Sequence, residues 1–339
     1  MGDHGGEWWD HALDAWLAEE VGLVGPLRLD RHVEGRSNVT VTVTDATGRA
    51  AVVRRPPPGD QPSTAHDMAR EAKILGALHP AGLPVPEVLA VGEEPGRPGT
   101  AFYVMERLGG EILTEDSAAA LEPTVRVGLA EALVDALADL HRLDPAAVGL
   151  ADLGRADGYL TRQLRRWGGM VERGELAGPD LLTAADRLAA VAPDQQRGCV
   201  VHGDYRFGNC LVDTTGATVV GILDWELCTL GDPLADLAHL ATWWVDERSA
   251  LLPEDPTAAG GFPDVAALTT RYAERTGLDL GSFDYYRAFA AWRLAAIGQG
   301  VHRRMRQGQV HGASADDVAY IETSTVALAR FAVDRLAAA

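Results

Sequence analysis

Apolar and polar positions recur at two different periods along the chain, and the change of period divides it. Between Trp8 and Glu20, Trp9, Leu13, Trp16 and Leu17 fall at helical steps, predicting a short amphipathic helix. From Arg31 to Arg55 the period drops to two. Val39 to Asp45 reads VTVTVTD, Thr47-Gly48 marks a turn, and Ala50 to Arg55 supplies a second strand. This hairpin is preceded by a loop, Glu34 to Asn38, and closed by Pro56 to Pro58. A helix follows from about Ala65 to Leu78, Pro84 and Pro86 bracket a turn, and Ala101 to Leu108 reads as a buried strand. After Gly109-Gly110 the chain becomes rich in Ala and Leu, with a long helix from near Leu121 to His141 and another from Ala315 to Ala338. One β-rich island, Gly198 to Trp225, interrupts the helical part. The expected fold class is α+β, with a mixed N-terminal lobe over residues 1–107 and a mainly helical C-terminal lobe over 108–339.

The island carries the chemistry. Val200 and Val201 form a short strand ending at His202-Gly203-Asp204, Cys210 to Val212 form another, Thr214 to Gly216 turn the chain, and Thr218 to Leu223 return antiparallel. Asp204, Asn209 and Asp224 therefore sit at or just beyond strand ends. Phosphoryl transfer needs a carboxylate to orient the attacking hydroxyl, oxygen ligands for Mg on the phosphates, and a cation beside them. Asp204 can be the base, and Asn209 and Asp224 are hard oxygen donors suited to Mg. A His two residues before the Asp and an Asn five residues after it match the kinase spacing. His202 is expected to position the loop by hydrogen bonding, not to take part in chemistry.

HGDYRFGN, followed by GILDWELCTLGDPLADLAHL, resembles the aminoglycoside phosphotransferase family. SNVTVTVTD, VVRRPPPG, AHDMAREAKIL, PVPEVLAV and FYVMERLGGEIL resemble in particular the branch related to kinase-like domains attached to some acyl-CoA dehydrogenases. The resemblance implies a bilobal protein-kinase-like fold with ATP between the lobes (GTP is the alternative nucleotide), Asp204 as the catalytic base, and Asn209 and Asp224 as metal ligands. It also implies a hinge at Met105 to Arg107, with Glu106 among the adenine contacts.

One departure concerns the phosphate cradle. Kinases place a strand Lys on the nucleotide phosphates and pair it with a helix Glu. The single lysine here, Lys73, lies on a predicted helix, and Arg54 occupies the strand position. Arginine keeps the charge and binds phosphate in a bidentate manner. Its expected partner is Glu71, which shares a helical stripe with Met68, Leu75 and Leu78, where an unpaired carboxylate would be costly. Arg55 is expected on the opposite face, in solvent. Ser37 and Asn38, in the loop before the hairpin, are candidates for phosphate contact.

The acceptor is expected to be small. Gly231 lies only seven positions after Asp224, Asp232 is a good helix N-cap and Pro233 suits the first helical turn, which leaves no room for a protein kinase's activation segment. Asp236, one turn into that helix, could brace the catalytic loop. Composition narrows the partners further. With 30 basic and 49 acidic residues the formal charge is -19, which disfavours nucleic acid and anionic membrane surfaces and would suit a cationic aminoglycoside. Against that, Arg287, Arg293, Arg303 and Arg304 cluster in the segment Phe283 to Gly308 and would suit an anionic or phosphate-bearing acceptor, and the resemblance to the acyl-CoA dehydrogenase branch implies a hydroxyacyl-CoA-like one. Tyr286, Phe289, Trp292 and Leu294 in that segment are expected in the core. Three cysteines make no disulfide scaffold, Met1 to Asp14 lacks the regions of a signal peptide, and no apolar run approaches a membrane span, so the expected location is cytoplasmic. The expected activity is an ATP- and Mg-dependent kinase for a small-molecule hydroxyl. The alternative, raised by the missing strand lysine, is a silent nucleotide-binding regulatory protein.

Overall fold

A computed structural model describes residues 9, 12–32, 38–56, 67–95, 100–172, 176–245, 252, 255–310 and 314–338. The chain divides into two compact units, one comprising residues 1–110 and 220–226, the other 111–219 and 227–339. A single cut between 107 and 108 would leave Asp224 with the second unit, whereas its segment groups with the first. The reason is local: Ile222 donates its N–H to the Pro84 carbonyl at 2.7 Å, and Arg54 binds Asp224.

The first unit is built on an antiparallel sheet. Helix α1 (Ala12–Glu20) is followed by strands β1 (Arg28–His32), β2 (Val39–Thr44) and β3 (Ala50–Arg55), helix α2 (Met68–Leu78), and strands β4 (Val88–Glu93) and β5 (Ala101–Glu106). The strand order is β1-β2-β3-β5-β4. The alternation of β2 sends Val39, Val41 and Val43 inward, where they pack with Leu13 and Leu17 of α1, Val53 of β3, and Phe102 and Val104 of β5. Strands β1 and β4 were not apparent from the residue pattern. They lie at the two edges of the sheet, and β1 (RLDRH) is almost entirely exposed, so no alternation marks it. Arg55 also departs from expectation: it pairs with the buried carboxylate of Glu94 instead of pointing into water.

The turn of the β2–β3 hairpin is closed by one carboxylate. Asp45 Oδ1 accepts from the Thr47 hydroxyl at 2.6 Å and from the backbone N–H groups of Thr47 and Arg49, while Oδ2 accepts from Val24 N–H. This closure fixes the register that places Arg54 opposite Thr40 on one side and Tyr103 on the other.

The second unit begins with β6 (Glu111–Ile112), α3 (Glu115–Ala119), α4 (Pro123–Arg142), α5 (Tyr159–Val171) and α6 (Gly178–Ala190). Next come β7 (Cys199–Val201), β8 (Cys210–Asp213), β9 (Thr218–Ile222), which runs across the division between the units, and β10 (Thr229–Gly231). Helices α7 (Pro233–Trp243), α8 (Val265–Thr276), α9 (Phe283–Arg306) and α10 (Ala315–Ala338) complete the chain. β7 is wholly buried and pairs antiparallel with β10. Helices α4 and α8 are clamped side by side, Arg271 holding both oxygens of Asp135 and Arg275 holding Asp139. In α9, Tyr286, Phe289 and Trp292 are core residues as their spacing predicts, whereas Leu294 is only half-buried. Arg287 and Arg293 are buried with them, so of the four arginines considered for an anionic acceptor only Arg303 and Arg304 are exposed. No helix among the described residues is long and apolar enough to cross a membrane. All three cysteines are buried and none forms a disulfide.

The Asp45 closure predicts a pH signature. Burial alone would raise this carboxyl, but the Thr47 hydroxyl, together with the three amides, pulls it down from 3.8 to about 2. A depressed folded-state value adds stability above the unfolded value, and that stability is lost as pH falls through the folded one. Asp45→Asn should therefore lower the urea midpoint near neutrality. The gap from wild type should narrow steadily as pH falls below about 4. A gap independent of pH would contradict the role given to this carboxylate.

Candidate active site

The catalytic loop of the second unit is hung on a buried acid. β7 ends at Val201, and the next two backbone N–H groups, of His202 and Gly203, donate to Asp236 Oδ2 at 2.6 Å and Oδ1 at 2.9 Å. Asp236 stands on the first turn of α7, whose start is set as the sequence predicts: Asp232 Oδ1 caps Leu234 N–H, and Pro233 opens the helix. His141 of α4 approaches Asp236 Oδ2 through Nε2 at 3.3 Å, and its Nδ1 meets the Tyr272 hydroxyl at 2.6 Å. Burial works to raise the Asp236 carboxyl, but His141, His202 and the Gly203 amide together hold it below the usual range.

Gly203 is required where it stands. Its φ is +89°, and a Cβ there would lie 2.8 Å from the Leu227 carbonyl oxygen. The sharp turn it makes brings out Asp204, whose own N–H donates to His202 Nδ1 at 3.2 Å. His202 is thus a loop-positioning residue, as expected. A short 3-10 turn, Phe207–Asn209, returns Asn209 to Asp204: Asn209 Nδ2 donates to the Asp204 carbonyl at 2.7 Å and to Oδ2 at 2.8 Å. Tyr205 anchors the same loop through its hydroxyl to the Leu133 carbonyl, and Phe207 stacks on Trp244.

Residues not expected at the loop surround Asp204. His239, one turn beyond Asp236 on α7, places Nε2 at 2.7 Å from Asp204 Oδ1. Arg293 of α9 reaches His239 Nδ1 at 3.0 Å and the Gly203 carbonyl at 2.6 Å. Arg206 lies with its Nε 3.9 Å from Asp204 Oδ2 and its guanidinium 4.5 Å above the Trp243 ring. Burial would raise the Asp204 carboxyl; the His239 hydrogen bond and the charge of Arg206, with His202 alongside, hold it well below the usual carboxylate range. Only the helical phase of His239 to Asp236, one turn on, could have pointed to it.

In the first unit, Arg54, Glu71 and Asp224 come together. Arg54 Nε lies 2.9 Å from Glu71 Oε2, and its terminal nitrogen donates to Asp224 Oδ1 at 2.7 Å. Glu71 is buried on the predicted stripe with Met68, Leu75 and Leu78, and Tyr103, opposite Arg54 across the sheet, donates its hydroxyl to Glu71 Oε2 at 2.9 Å. Burial pushes the Glu71 carboxyl up, and Arg54 and Tyr103 pull against it. Burial would also weaken the Arg54 charge, but Glu71, Tyr103 and Asp224 overcome this and hold its pKa above the free value. Asp224 takes φ +64°, a left-handed conformation rare outside glycine, asparagine and aspartate. Asn38 is buried at the start of β2, and Ser37 lies outside the described residues. Glu106, at the end of β5, has an exposed side chain and gives its N–H to the Glu87 carbonyl at 2.9 Å.

A loop carboxylate held by an asparagine five residues on, with a sheet cation held by a helix glutamate, defines a kinase-like phosphotransferase. The chain belongs to the phosphotransferase enzyme family (APH), whose model matches residues 29–274. It is 34% identical over 94% of its length to acyl-CoA dehydrogenase family member 10 of Mus musculus, of which the match covers 30%. The chain thus spans less than half the length of the first curated relatives it matches. A provisionally assigned aminoglycoside phosphotransferase from Ralstonia eutropha JMP134 superposes with a TM-score of 0.80 at 29% identity, covering 97% of this chain and 99% of that one. The GDP and kanamycin complex of APH(2")-IIIa shares the fold at a TM-score of 0.66 and 16% identity, covering 93% and 98%.

The turn at residue 203 supplies a direct test. Gly203→Ala forces a strained φ and a clash with Leu227, and should cost about 1–3 kcal/mol in chemical denaturation. A variant as stable as wild type would show that the loop turns without needing glycine.

Proposed function

We propose that the chain transfers the γ-phosphoryl group of ATP, as its Mg complex, to a hydroxyl of a small molecule. The observation that carries this is the state of Asp204: a carboxylate kept ionised, locked on both oxygens by His239 and Asn209, and still 28% exposed. Asp204 orients the attacking hydroxyl and accepts its proton as the bond to phosphorus forms. Because charge in such a transition state spreads over the phosphoryl oxygens, orientation matters more than basicity, and a weakly basic carboxylate suffices.

The donors fit Mg. Asn209 turns its amide N–H groups to Asp204, which leaves its carbonyl oxygen as the donor atom. Asp224 gives Oδ1 to Arg54 and keeps a second oxygen on a carboxylate that is 35% exposed. Both are hard oxygen donors of the kind Mg prefers. Bound by them, Mg would offset the charge of the nucleotide phosphates. Arg54, kept charged by Glu71, supplies the further cation for those phosphates, with Ser37 and Asn38 as loop contacts. Glu106 offers its backbone carbonyl to the base.

For the acceptor, two classes follow from the relatives: a hydroxyacyl thioester, suggested by the acyl-CoA dehydrogenase proteins that contain a similar segment, and an aminoglycoside, suggested by the structural neighbours. One contact favours a different reading. Arg54 holds Asp224 directly, an arrangement that would also suit a protein that binds nucleotide without transferring phosphate.

A panel of hydroxyacyl thioesters and aminoglycosides with Mg-ATP separates these readings. Wild type should phosphorylate a member of the panel, and Asp204→Ala should lose on the order of a hundredfold or more in kcat. Equal rates for variant and wild type on that acceptor would remove Asp204 from the mechanism. Nucleotide binding by wild type with no transfer to any acceptor would favour the silent protein.

A further inference from the structure

We propose that His239 is a positioning residue for Asp204, and that Arg293 acts through it by dictating which imidazole nitrogen carries the proton. This rests on the reading of Asp204 as the residue that orients the acceptor hydroxyl.

His239 is buried and has three polar neighbours: Asp204 Oδ1 at 2.7 Å and Trp243 Nε1 at 3.1 Å on Nε2, and Arg293 at 3.0 Å on Nδ1. A guanidinium is always protonated and can only donate. Nδ1 must therefore present its lone pair to Arg293, and the one proton of a neutral imidazole goes to Nε2. There it faces an ionised carboxylate, which can only accept. Arg293 and Asp204 thus agree on one tautomer. The Trp243 N–H is also aimed at Nε2, at 3.1 Å, and competes for that nitrogen; the charge-assisted bond from Nε2–H to Asp204 is the stronger of the two and carries the proton there. Burial and the charge of Arg293 also act against a second proton on the ring, although Asp204 and Asp236 favour one, and the net effect lowers its pKa.

Arg293 is an expensive way to fill this space. It is buried, and its partners are the Gly203 carbonyl, His239 and the Tyr159 hydroxyl, with no ion pair to a carboxylate among the described residues. A buried cation without a counter-charge is costly. What it secures is geometry: one guanidinium nitrogen ties the Gly203 carbonyl, one residue before Asp204, to the histidine that grips the Asp204 side chain. Asp204 then has Oδ1 held from α7 and Oδ2 held by Asn209, so its carboxylate plane is fixed. Losing the α7 contact frees one oxygen and lets the group rotate away from the attacking geometry.

Two measurements test this. The first uses wild-type protein labelled with ¹⁵N in its histidine rings, with the His239 signals identified by their absence in His239→Gln. His239 should be a neutral ring with the proton on Nε2 at about neutral pH, and Arg293→Met should loosen that preference. A proton on Nδ1, or a doubly protonated ring, in wild type would overturn the proposal. The second is kinetic, with Mg-ATP and whichever hydroxyacyl thioester or aminoglycoside wild type phosphorylates. His239→Leu should lower kcat on the order of 10- to 100-fold, the effect of one charge-assisted hydrogen bond, while the KM for ATP stays within about twofold. His239→Gln, whose amide can replace the Nε2 donor, should recover most of the loss. A folded Leu variant at wild-type kcat, or a folded Gln variant no better than Leu, would overturn the proposal and leave the Asp204 assignment standing. Absence of transfer by wild type would instead defeat the reading on which it rests.

Discussion

The catalytic loop depends on one buried carboxylate. Asp236 accepts two consecutive backbone N–H groups, from His202 and Gly203, one on each oxygen. Two adjacent amides can converge on one carboxylate only if the chain bends sharply between them and the next residue, and the left-handed conformation of Gly203 provides the bend. The acid is placed by the N-terminus of α7, which is itself fixed by Asp232, Pro233 and the Tyr286 hydroxyl on Asp232 Oδ2 at 2.7 Å. Once α7 is docked, the direction in which Asp204 leaves β7 has little freedom left. A hydrogen bond to a buried charged group contributes about 1.5–3 kcal/mol, and two amides with a histidine on one carboxylate make this the most heavily held point of the loop.

Each unit fixes a carboxylate by burying an arginine nearby, and the two do it differently. In the first, Arg54 pairs directly with Glu71 and Asp224, and Tyr103 adds a donor to Glu71. In the second, Arg293 touches no carboxylate and works on Asp204 through an imidazole. Buried ion pairs contribute little net stability, because desolvation offsets the attraction, but removing one partner leaves an uncompensated charge. Such groups are better understood as constraints on geometry than as sources of stability. The difference between the two arginines has a chemical consequence. Arg54 can exchange one anionic partner for another, as a phosphate-binding cation must, whereas the contacts of Arg293 leave it no such exchange.

Much of this was legible in the residues, and what was not shares a physical cause. The spacing of His202, Asp204 and Asn209 follows from one tight loop, and a local pattern of that kind survives in sequence. Asp232-Pro233 marked the start of α7 through its capping chemistry, and Glu71 revealed its partner because a carboxylate on an apolar stripe demands a cation. Failures came where tertiary contact decides. Arg293 was read as a cation for an anionic acceptor, because sequence gives its charge but not the side of α9 it occupies; the helix is buried nearly all round over its first half, so it has no polar face to read. Arg55 was placed in water by the alternation of β3, which cannot foresee Glu94 beyond the neighbouring strands. His239 sits in an apolar run, DLAHLATW, where a histidine is indistinguishable from a core residue until Asp204 is seen beside it. Strand β1 has neither alternation nor burial and exists because β2 has an edge to pair.

The acidity of Asp204 bears on what the loop can contribute to specificity. On the proposed reading, a carboxylate held below its usual range is a poor proton acceptor until the hydroxyl has begun to bond to phosphorus, when that proton becomes acidic. The loop then aligns a hydroxyl without testing how basic or how substituted it is, and would serve a sugar and an acyl chain alike. Its nearest cation, Arg206 on the Trp243 ring, is partly exposed with its Nε 3.9 Å from Asp204 Oδ2, so on the same reading it would be the first group outside the reacting atoms to sense the charge of an incoming molecule. Discrimination must come from there outward. The connection from Asp224 to α7 adds nothing to it, since β10 is paired to β7 and Gly231 packs so closely on Tyr159 that a Cβ would fall 2.4 Å from its ring. A connection so tightly held offers no loose segment of the kind a protein kinase uses for a polypeptide, which supports the proposed small-molecule acceptor.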